Sequence, residues 1–123
     1  MVNGKFIENN IAVVPAGVAW EHKVQDSLFI LDTGFSGDLI VTKEMAKELG
    51  LEISMMTSAH IATDKTVSLP TATAIGIMEG RKLYVSILIS DGLPLLGMSF
   101  LEKFGYRATI DCKYKKVELE VSR

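Results

Sequence analysis

The chain has 123 residues, a length that fits one domain able to bury a core without disulfide staples. Hydrophobic residues make up 48% of the chain and charged residues 23%, a composition that excludes a disordered polypeptide. The net charge is −2 and no cluster of lysine or arginine stands out, so the charges give little support to nucleic-acid binding.

The N-terminal residues lack the apolar core of a signal peptide, and no apolar run reaches the roughly 20 residues that a membrane span needs. We therefore expect a cytoplasmic protein that binds no membrane. Cys112 is the single cysteine, so it has no partner for an intrachain disulfide. His22 and His60 stand apart, without the cysteine or carboxylate spacing of a metal site, and the sequence predicts no bound metal.

In the first half of the chain, short apolar runs bounded by turn residues predict strands at residues 11–14, 23–31 and 39–41. A short helix is then predicted from Thr42, whose hydroxyl can cap the N-terminus, to Gly50, which can end it in a left-handed turn.

The second half of the chain continues with apolar strands and one more short helix. The predicted elements are a strand pair at 67–80 and 82–89 with a turn at 79–81, a helix at 98–104 ended by Gly105, and strands at 107–110 and 117–121. Many strands with two short helices favour a mostly-β fold, closed or sandwich-like. A parallel α/β fold would need more helices of crossover length.

Asp32 directly follows the apolar strand residues 28–31, which leaves its carboxylate partly desolvated. Thr33 adds a hydroxyl, and Gly34 and Gly37 permit a tight backbone and the close approach of a ligand. An ordinary turn after a strand explains the same Asp-Thr-Gly tripeptide, since aspartate and glycine are common turn formers. The tripeptide alone leaves both interpretations open.

The wider context of Asp32 resembles a known family. Residues 29–41, with the sequence FILDTGFSGDLIV, resemble the active-site loop of retropepsin-like aspartic peptidases, in which apolar residues lead into Asp-Thr-Gly and a second apolar strand follows. Residues 94–101, with the sequence PLLGMSFL, resemble the family's motif of two apolar residues and a glycine before a short helix. Residues 61–67 lie between them and form a candidate flap, polar at its tip.

The resemblance implies a single-domain retropepsin-like barrel over residues 1–123 that forms a C2 homodimer. The implied partners are a second copy of the chain and a peptide or protein substrate, with water as co-substrate and no cofactor. The implied interface sheet contains residues 117–121 and the N-terminal residues.

The resemblance also implies a role for each residue of the two motifs. Asp32 is the implied catalytic carboxylate. The supporting roles fall to Thr33, which hydrogen-bonds across the dimer, Gly34, which lets substrate backbone approach, Leu95, Leu96 and Gly97, which pack under the active-site loop, and the flap residues Ala62, Thr63 and Asp64, which close over bound peptide.

One residue departs from the family pattern. The family usually has alanine or serine after the glycine, and a serine there can hydrogen-bond the carboxylate. Here Phe35 takes that position and Ser36 follows. The departure predicts that the outer hydrogen bond is missing or comes from Ser36, and that Phe35 narrows the cleft.

Two other classes of function fit parts of the sequence. A non-catalytic module of the same fold would use the dimer cleft to bind an extended peptide or only to oligomerise. The run Asp-x-Gly-x-Ser at Asp32 is also similar to the phosphate loop of sugar-kinase and actin-like ATPases. Those folds need two large lobes to enclose a nucleotide, and 123 residues are too few for them. The sequence also lacks a Walker-type glycine-rich loop with its lysine, so it does not support nucleotide binding.

Overall fold

The computed structural model describes residues 1–8, 10–60 and 65–123, with residues 59 and 60 described by their backbone alone. The described residues form eleven strands and two short helices. The strands are β1 (Val2–Asn3), β2 (Lys5–Ile7), β3 (Ile11–Trp20), β4 (Lys23–Leu31), β5 (Leu39–Thr42), β6 (Ile53–His60), β7 (Thr66–Met78), β8 (Arg81–Ser90), β9 (Leu95–Leu96), β10 (Tyr106–Asp111) and β11 (Lys116–Val121), and the helices are α1 (Lys43–Leu49) and α2 (Met98–Phe104).

The larger sheet closes on itself. Its strand order is β2-β3-β4-β9-β5-β8-β7-β6, and an additional antiparallel pairing of β3 with β7 joins two strands that stand far apart in that order. Val18 faces Gly76 at this seam. The strands from β3 to β7 in this order therefore form a closed ring without free edges, and β2 and β6 lie outside the ring. The predicted mostly-β, closed fold with two short helices is confirmed.

Strand β3 is longer than the sequence predicted. The prediction ended at residue 14 because Pro15 lacks the N–H group of a strand ladder. The structure continues the strand to Trp20, with Pro15 exposed and opposite Leu28 of β4. On its other side, β3 pairs with β2 up to Val13 and with β7 only from Gly17 onward. Pro15 lies between those two partners, where a proline costs no ladder hydrogen bond to either.

Both helices have the ends that the sequence predicted. The Thr42 hydroxyl accepts a hydrogen bond from the backbone N–H of Met45 at 3.1 Å, and Gly50 ends α1 with φ of +70°. Gly105 ends α2 in the same left-handed conformation, with φ of +69°. Helix α2 differs at its start, because Gly97 precedes it and provides no side-chain cap.

The core lies inside the closed sheet, and α2 covers part of it. Phe29 of β4, Ile87 of β8 and Phe100 and Phe104 of α2 are fully buried. The rings of Phe100 and Phe104 stack with centroids 4.3 Å apart. Burying one such side chain stabilises the fold by about 1.5–3 kcal/mol, so α2 is attached to the barrel mainly by its aromatic face.

A smaller sheet joins the two ends of the chain, with the strand order β1-β11-β10. Leu119 of β11 faces Val2 of β1 on one side and Ala108 of β10 on the other. The N–H group of Gly4 donates to the carbonyl of Val117 at 2.7 Å, which continues this contact toward β2. The N-terminal residues and the last strand therefore meet within one chain.

The turn between β7 and β8 anchors this smaller sheet to the barrel. Glu79 accepts a hydrogen bond from the Tyr106 hydroxyl at 2.6 Å and pairs with the N-terminal ammonium of Met1 at 2.8 Å. The hydrogen bond from that ammonium lowers the pKa of Glu79. Burial raises the pKa of Tyr106, and its hydrogen bond to Glu79 acts in the same direction. The Arg81 guanidinium donates to the Phe104 carbonyl at 2.7 Å and completes the link to α2.

Replacing Phe100 with alanine tests the attachment of α2. We expect Phe100→Ala to lower the free energy of unfolding by about 3–5 kcal/mol, because it removes a fully buried ring and leaves a cavity. Urea unfolding measures the change. The control is Tyr84→Ala, which removes a ring that is 70% exposed and should stay within about 0.5 kcal/mol of the parent chain. Equal losses in the two variants would contradict this role of α2.

Candidate active site

Asp32 lies at the point where β4 leaves the barrel and meets β9. The two strands run parallel, with Leu31 opposite Leu96. The N–H group of Asp32 then donates to the Leu96 carbonyl at 3.0 Å, and that of Ile30 donates to the Pro94 carbonyl at 2.9 Å. The structure therefore brings together the two sequence motifs, and the backbone of Asp32 is fixed by the second of them.

The Asp32 side chain is half-buried at the surface of the single chain. Its Oδ1 atom accepts a hydrogen bond from the N–H group of Gly34 at 2.9 Å. A Cβ atom at Gly34 would lie 3.3 Å from that oxygen, so glycine gives the carboxylate room at this turn. Thr33 and Gly34 are both exposed. One face of the Asp-Thr-Gly loop is thus open to a partner or a ligand.

Phe35 packs against the backbone of its own loop and of the second motif. A Cβ atom at Gly37 would lie 2.6 Å from the tip of the Phe35 ring, and one at Gly97 would lie 2.5 Å from its Cδ2 atom. The half-buried ring fills the space that these two glycines leave. The narrowing of a cleft by Phe35 concerns the dimer and stays a prediction. Ser36 is exposed, and within the described residues it makes no hydrogen bond to Asp32.

The loop carbonyls cap the N-terminus of α2. The first N–H groups of a helix have no partner inside the helix, and Gly97 has no side chain to serve them. The N–H group of Met98 donates to the Phe35 carbonyl at 2.8 Å, and that of Ser99 donates to the Gly37 carbonyl at 3.1 Å. The loop and the helix therefore satisfy each other's backbone groups.

Asp38 is a residue of this region that the sequence did not single out. It follows the loop directly and is 3% exposed, the one buried charged side chain among the described residues. Its Oδ2 atom accepts a hydrogen bond from Lys103 Nζ at 2.6 Å and another from the N–H group of Ser86 at 2.8 Å. A carboxylate directly before the apolar residues 39–41 was the available sequence signal.

Two solved structures are similar to this chain. One is a retropepsin-like aspartic protease from Rickettsia conorii, with 25% sequence identity and a TM-score of 0.64, and the match covers 98% of this chain and 89% of the other. The other is EIAV protease in complex with the inhibitor HBY-793, with 15% identity and a TM-score of 0.65, over 85% of this chain and 98% of the other. The chain has the retropepsin-like fold. No protein-family model and no curated protein sequence matches it.

In the sequence, the candidate flap follows β6 and precedes β7. The predicted flap residues Ala62, Thr63 and Asp64 lie outside the described residues. The two strands that lead to and from them pair in antiparallel fashion, and the hydroxyls of Thr57 and Thr71 are 2.6 Å apart across this pair. Strand β6 was not predicted from the sequence.

The part of the chain that the structure describes contains no group of three or more histidine, cysteine or carboxylate side chains placed to hold a metal ion. Within that part, neither helix has the length and the apolar character that crossing a membrane requires.

The contact between Gly97 and the loop gives a direct test of the site's packing. We expect Gly97→Ala to destabilise the chain by about 1–3 kcal/mol, because the new methyl group would meet the Gly37 carbonyl oxygen at 2.4 Å and the Phe35 carbonyl oxygen at 2.6 Å. Gly92→Ala is the matched control, since the nearest atom to its Cβ is a serine oxygen at 3.7 Å. Urea unfolding of both variants measures the difference, and an unchanged Gly97→Ala midpoint would disprove the contact.

Proposed function

We propose that the chain is an aspartic-type endopeptidase that works as a homodimer, with one Asp32 from each copy in a shared active site. The observation that carries the proposal is the Asp-Thr-Gly loop of residues 32–34, held by a backbone hydrogen bond from Asp32 to Leu96 within a fold that aspartic proteases share. An ordinary turn after a strand explains Asp-Thr-Gly, but it does not account for a second motif fixed against it.

The chemistry of peptide hydrolysis explains why two copies are needed. Two carboxylates about 3 Å apart cannot both ionise, so the pair shares one proton. The ionised member takes a proton from water as the water attacks the peptide carbonyl carbon, and the protonated member donates its proton to the carbonyl oxygen. The roles reverse when the tetrahedral intermediate breaks down and the amine leaves. One Asp32 cannot hold both roles at once.

The exposed face of the loop supports a site completed by a second copy. Asp32 is half-buried, and Thr33 and Gly34 are exposed next to it. A two-fold axis beside this face would set the two Asp32 carboxylates together and let each Thr33 hydroxyl reach the opposite loop. Gly34 would then allow the substrate backbone to come close to the carboxylates.

The smaller sheet supplies an edge through which two copies can associate. Among the described strands, β10 pairs with β11 on one side only. Its outer edge offers unpaired backbone groups, and antiparallel addition of a second strand satisfies such groups. Ile110 of β10 and Val121 of β11 are 40% and 39% exposed, so association here would also cover apolar surface. The proposed interface sheet of residues 117–121 with the N-terminal residues is thus extended to include β10.

The surroundings of the loop suit an extended peptide with apolar side chains. Leu93 is 63% exposed, one residue before the Pro94 carbonyl that bonds to β4. Met98 is 46% exposed, and its N–H group bonds to the loop. The proposed flap, residues Ala62, Thr63 and Asp64, would cover the peptide from the opposite side. We propose no cofactor, because the two carboxylates and water complete the reaction.

Cleavage assays with an Asp32 variant test the proposal. We expect the purified full chain to cleave members of a mixed peptide library between acidic and neutral pH, and Asp32→Asn to cleave them at least about 1,000-fold more slowly, since the amide cannot exchange protons as the carboxylate does. The control is Asp91→Asn, whose side chain is 81% exposed and should leave cleavage unchanged. Equal cleavage by Asp32→Asn and the parent chain would reject the proposal, and peptide binding without turnover would identify a non-catalytic module.

Subunit mixing tests whether the site is shared. When equal amounts of parent chain and Asp32→Asn are mixed and allowed to exchange, about a quarter of the dimers contain two intact Asp32 residues. We therefore expect activity to fall to about a quarter of that of the same total amount of parent chain, and sedimentation to show dimers at micromolar concentration. A fall to only half, or a monomer that cleaves peptide, would show that one chain is sufficient.

A further inference from the structure

We propose that Asp38 is a positioning residue for the active-site loop, and that it acts through its ion pair with Lys103 on α2. The inference rests on the proposed peptidase function, because it assigns a second carboxylate to the support of the catalytic one. Asp38 touches no reacting atom in this scheme. It holds the backbone on which Asp32 depends.

The ion pair joins three elements that surround the loop. Asp38 directly precedes β5, Lys103 lies in the last turn of α2, and Ser86 belongs to β8. The Asp38 Oδ2 atom receives a hydrogen bond from each of the other two, at 2.6 Å from the ammonium and 2.8 Å from the backbone N–H. One oxygen atom therefore fixes β5 against both neighbours.

The cost of burying this carboxylate shows what Lys103 does. Asp38 is 3% exposed, and within the described part of the chain its Oδ1 atom is buried without a hydrogen-bond partner. An ionised carboxylate in such a place is unfavourable unless a cation pairs with it. The Lys103 side chain is 41% exposed, so only one partner of the pair is buried, and the desolvation of Asp38 offsets much of the attraction between them. The pair is better explained by the geometry that it imposes.

That geometry reaches Asp32 through the backbone. The Asp38 carbonyl accepts a hydrogen bond from the N–H group of Gly97 at 2.9 Å, one residue after the Leu96 carbonyl that accepts the N–H group of Asp32. Met98 and Ser99 donate to the loop from the first turn of α2. Both ends of α2 thus hold the loop, the N-terminal end by its backbone N–H groups and the C-terminal end by Lys103.

Breaking the pair should leave the barrel intact and loosen the loop. Lys103→Met removes the charge and keeps an unbranched side chain, Lys103→Arg restores a cation, and Asp38→Leu combined with Lys103→Met removes both charges and the unpaired carboxylate. Lys43→Met is the matched control, because Lys43 also pairs with an aspartate at 3.1 Å but both partners are exposed, by 63% and 81%.

Amide hydrogen exchange measured by NMR tests the loop without any need for catalysis. We expect Lys103→Met to speed exchange at the N–H groups of Gly97, Met98 and Asp32 by roughly tenfold or more, while amides of the β3–β4 pair exchange as in the parent chain. Lys103→Arg should restore slow exchange, and Lys43→Met should not change it. Exchange in Lys103→Met that matches the parent chain would overturn the inference.

Kinetics on a cleaved peptide test the consequence for Asp32. We expect Lys103→Met to lower kcat on the order of 10-fold to 100-fold with KM changed less than about twofold, because misplaced catalytic groups slow the reaction more than they weaken substrate binding. Lys103→Arg should recover most of kcat. The double variant should recover the urea midpoint but not kcat, and this separates positioning from a purely stabilising role.

The outcomes distinguish the two proposals. A parent chain that cleaves no peptide while Lys103→Met loosens the loop would reject the peptidase function and keep the support role of the pair. A parent chain that cleaves, with Lys103→Met equal to it in kcat, would keep the peptidase function and overturn Asp38 as a positioning residue. Recovery of kcat in the double variant would also overturn it.

Discussion

The structure around the site depends on hydrogen bonds from the N–H groups of residues 97–99, where α2 begins, to the carbonyls of Phe35, Gly37 and Asp38. Without these bonds, the helix would have N–H groups and the loop would have carbonyls without hydrogen-bond partners. Gly97 directly precedes α2 and offers no side-chain cap, and the loop is too irregular to pair its carbonyls with a neighbouring strand. Because these groups satisfy each other, the shape of the loop at Asp32 is set by the position of a helix rather than by the loop itself.

Because the loop depends on α2, the position of Asp32 depends in turn on the elements that hold α2 in place. Phe100 and Phe104 hold α2 on the barrel, and the barrel holds β9 beside β4. The N-terminus of α2 then fixes the loop, and the loop presents Asp32. Rigid positioning of this kind suits general acid–base chemistry, which requires a carboxylate at a defined distance from its proton partner.

Sequence patterns predicted the parts of this arrangement that are local. The ends of both helices could be predicted because Thr42, Gly50 and Gly105 act on their own neighbours. The Asp-Thr-Gly and Leu-Leu-Gly motifs could be matched to a family and to its fold. The roles of those residues in catalysis, the dimer and the flap remain predictions, since they depend on a second chain and on residues outside the described ranges.

The features that sequence patterns missed all depend on partners distant in the chain. The predicted first strand stopped before Pro15, whereas β3 continues through it. Whether a strand can contain a proline depends on which strands lie beside it, and the sequence does not show the partners of β3. Strand β6 contains polar residues and pairs at an edge, so it lacks a strong apolar signal. Asp38 was not singled out, because its partner Lys103 lies 65 residues further along the sequence.

The packing of Phe35 also links the residue types that three positions can accept. A side chain at Gly37 or Gly97 would occupy the space that the ring now fills. A related chain with a small residue at the position of Phe35 has that space free, so its counterparts of the two glycines are open to substitution as far as the ring is concerned. The backbone oxygens of Gly37 and Phe35 still crowd Gly97, which restricts that position more strongly. Among relatives, a larger residue at position 37 should therefore occur with a smaller residue at position 35, while residue 97 stays glycine.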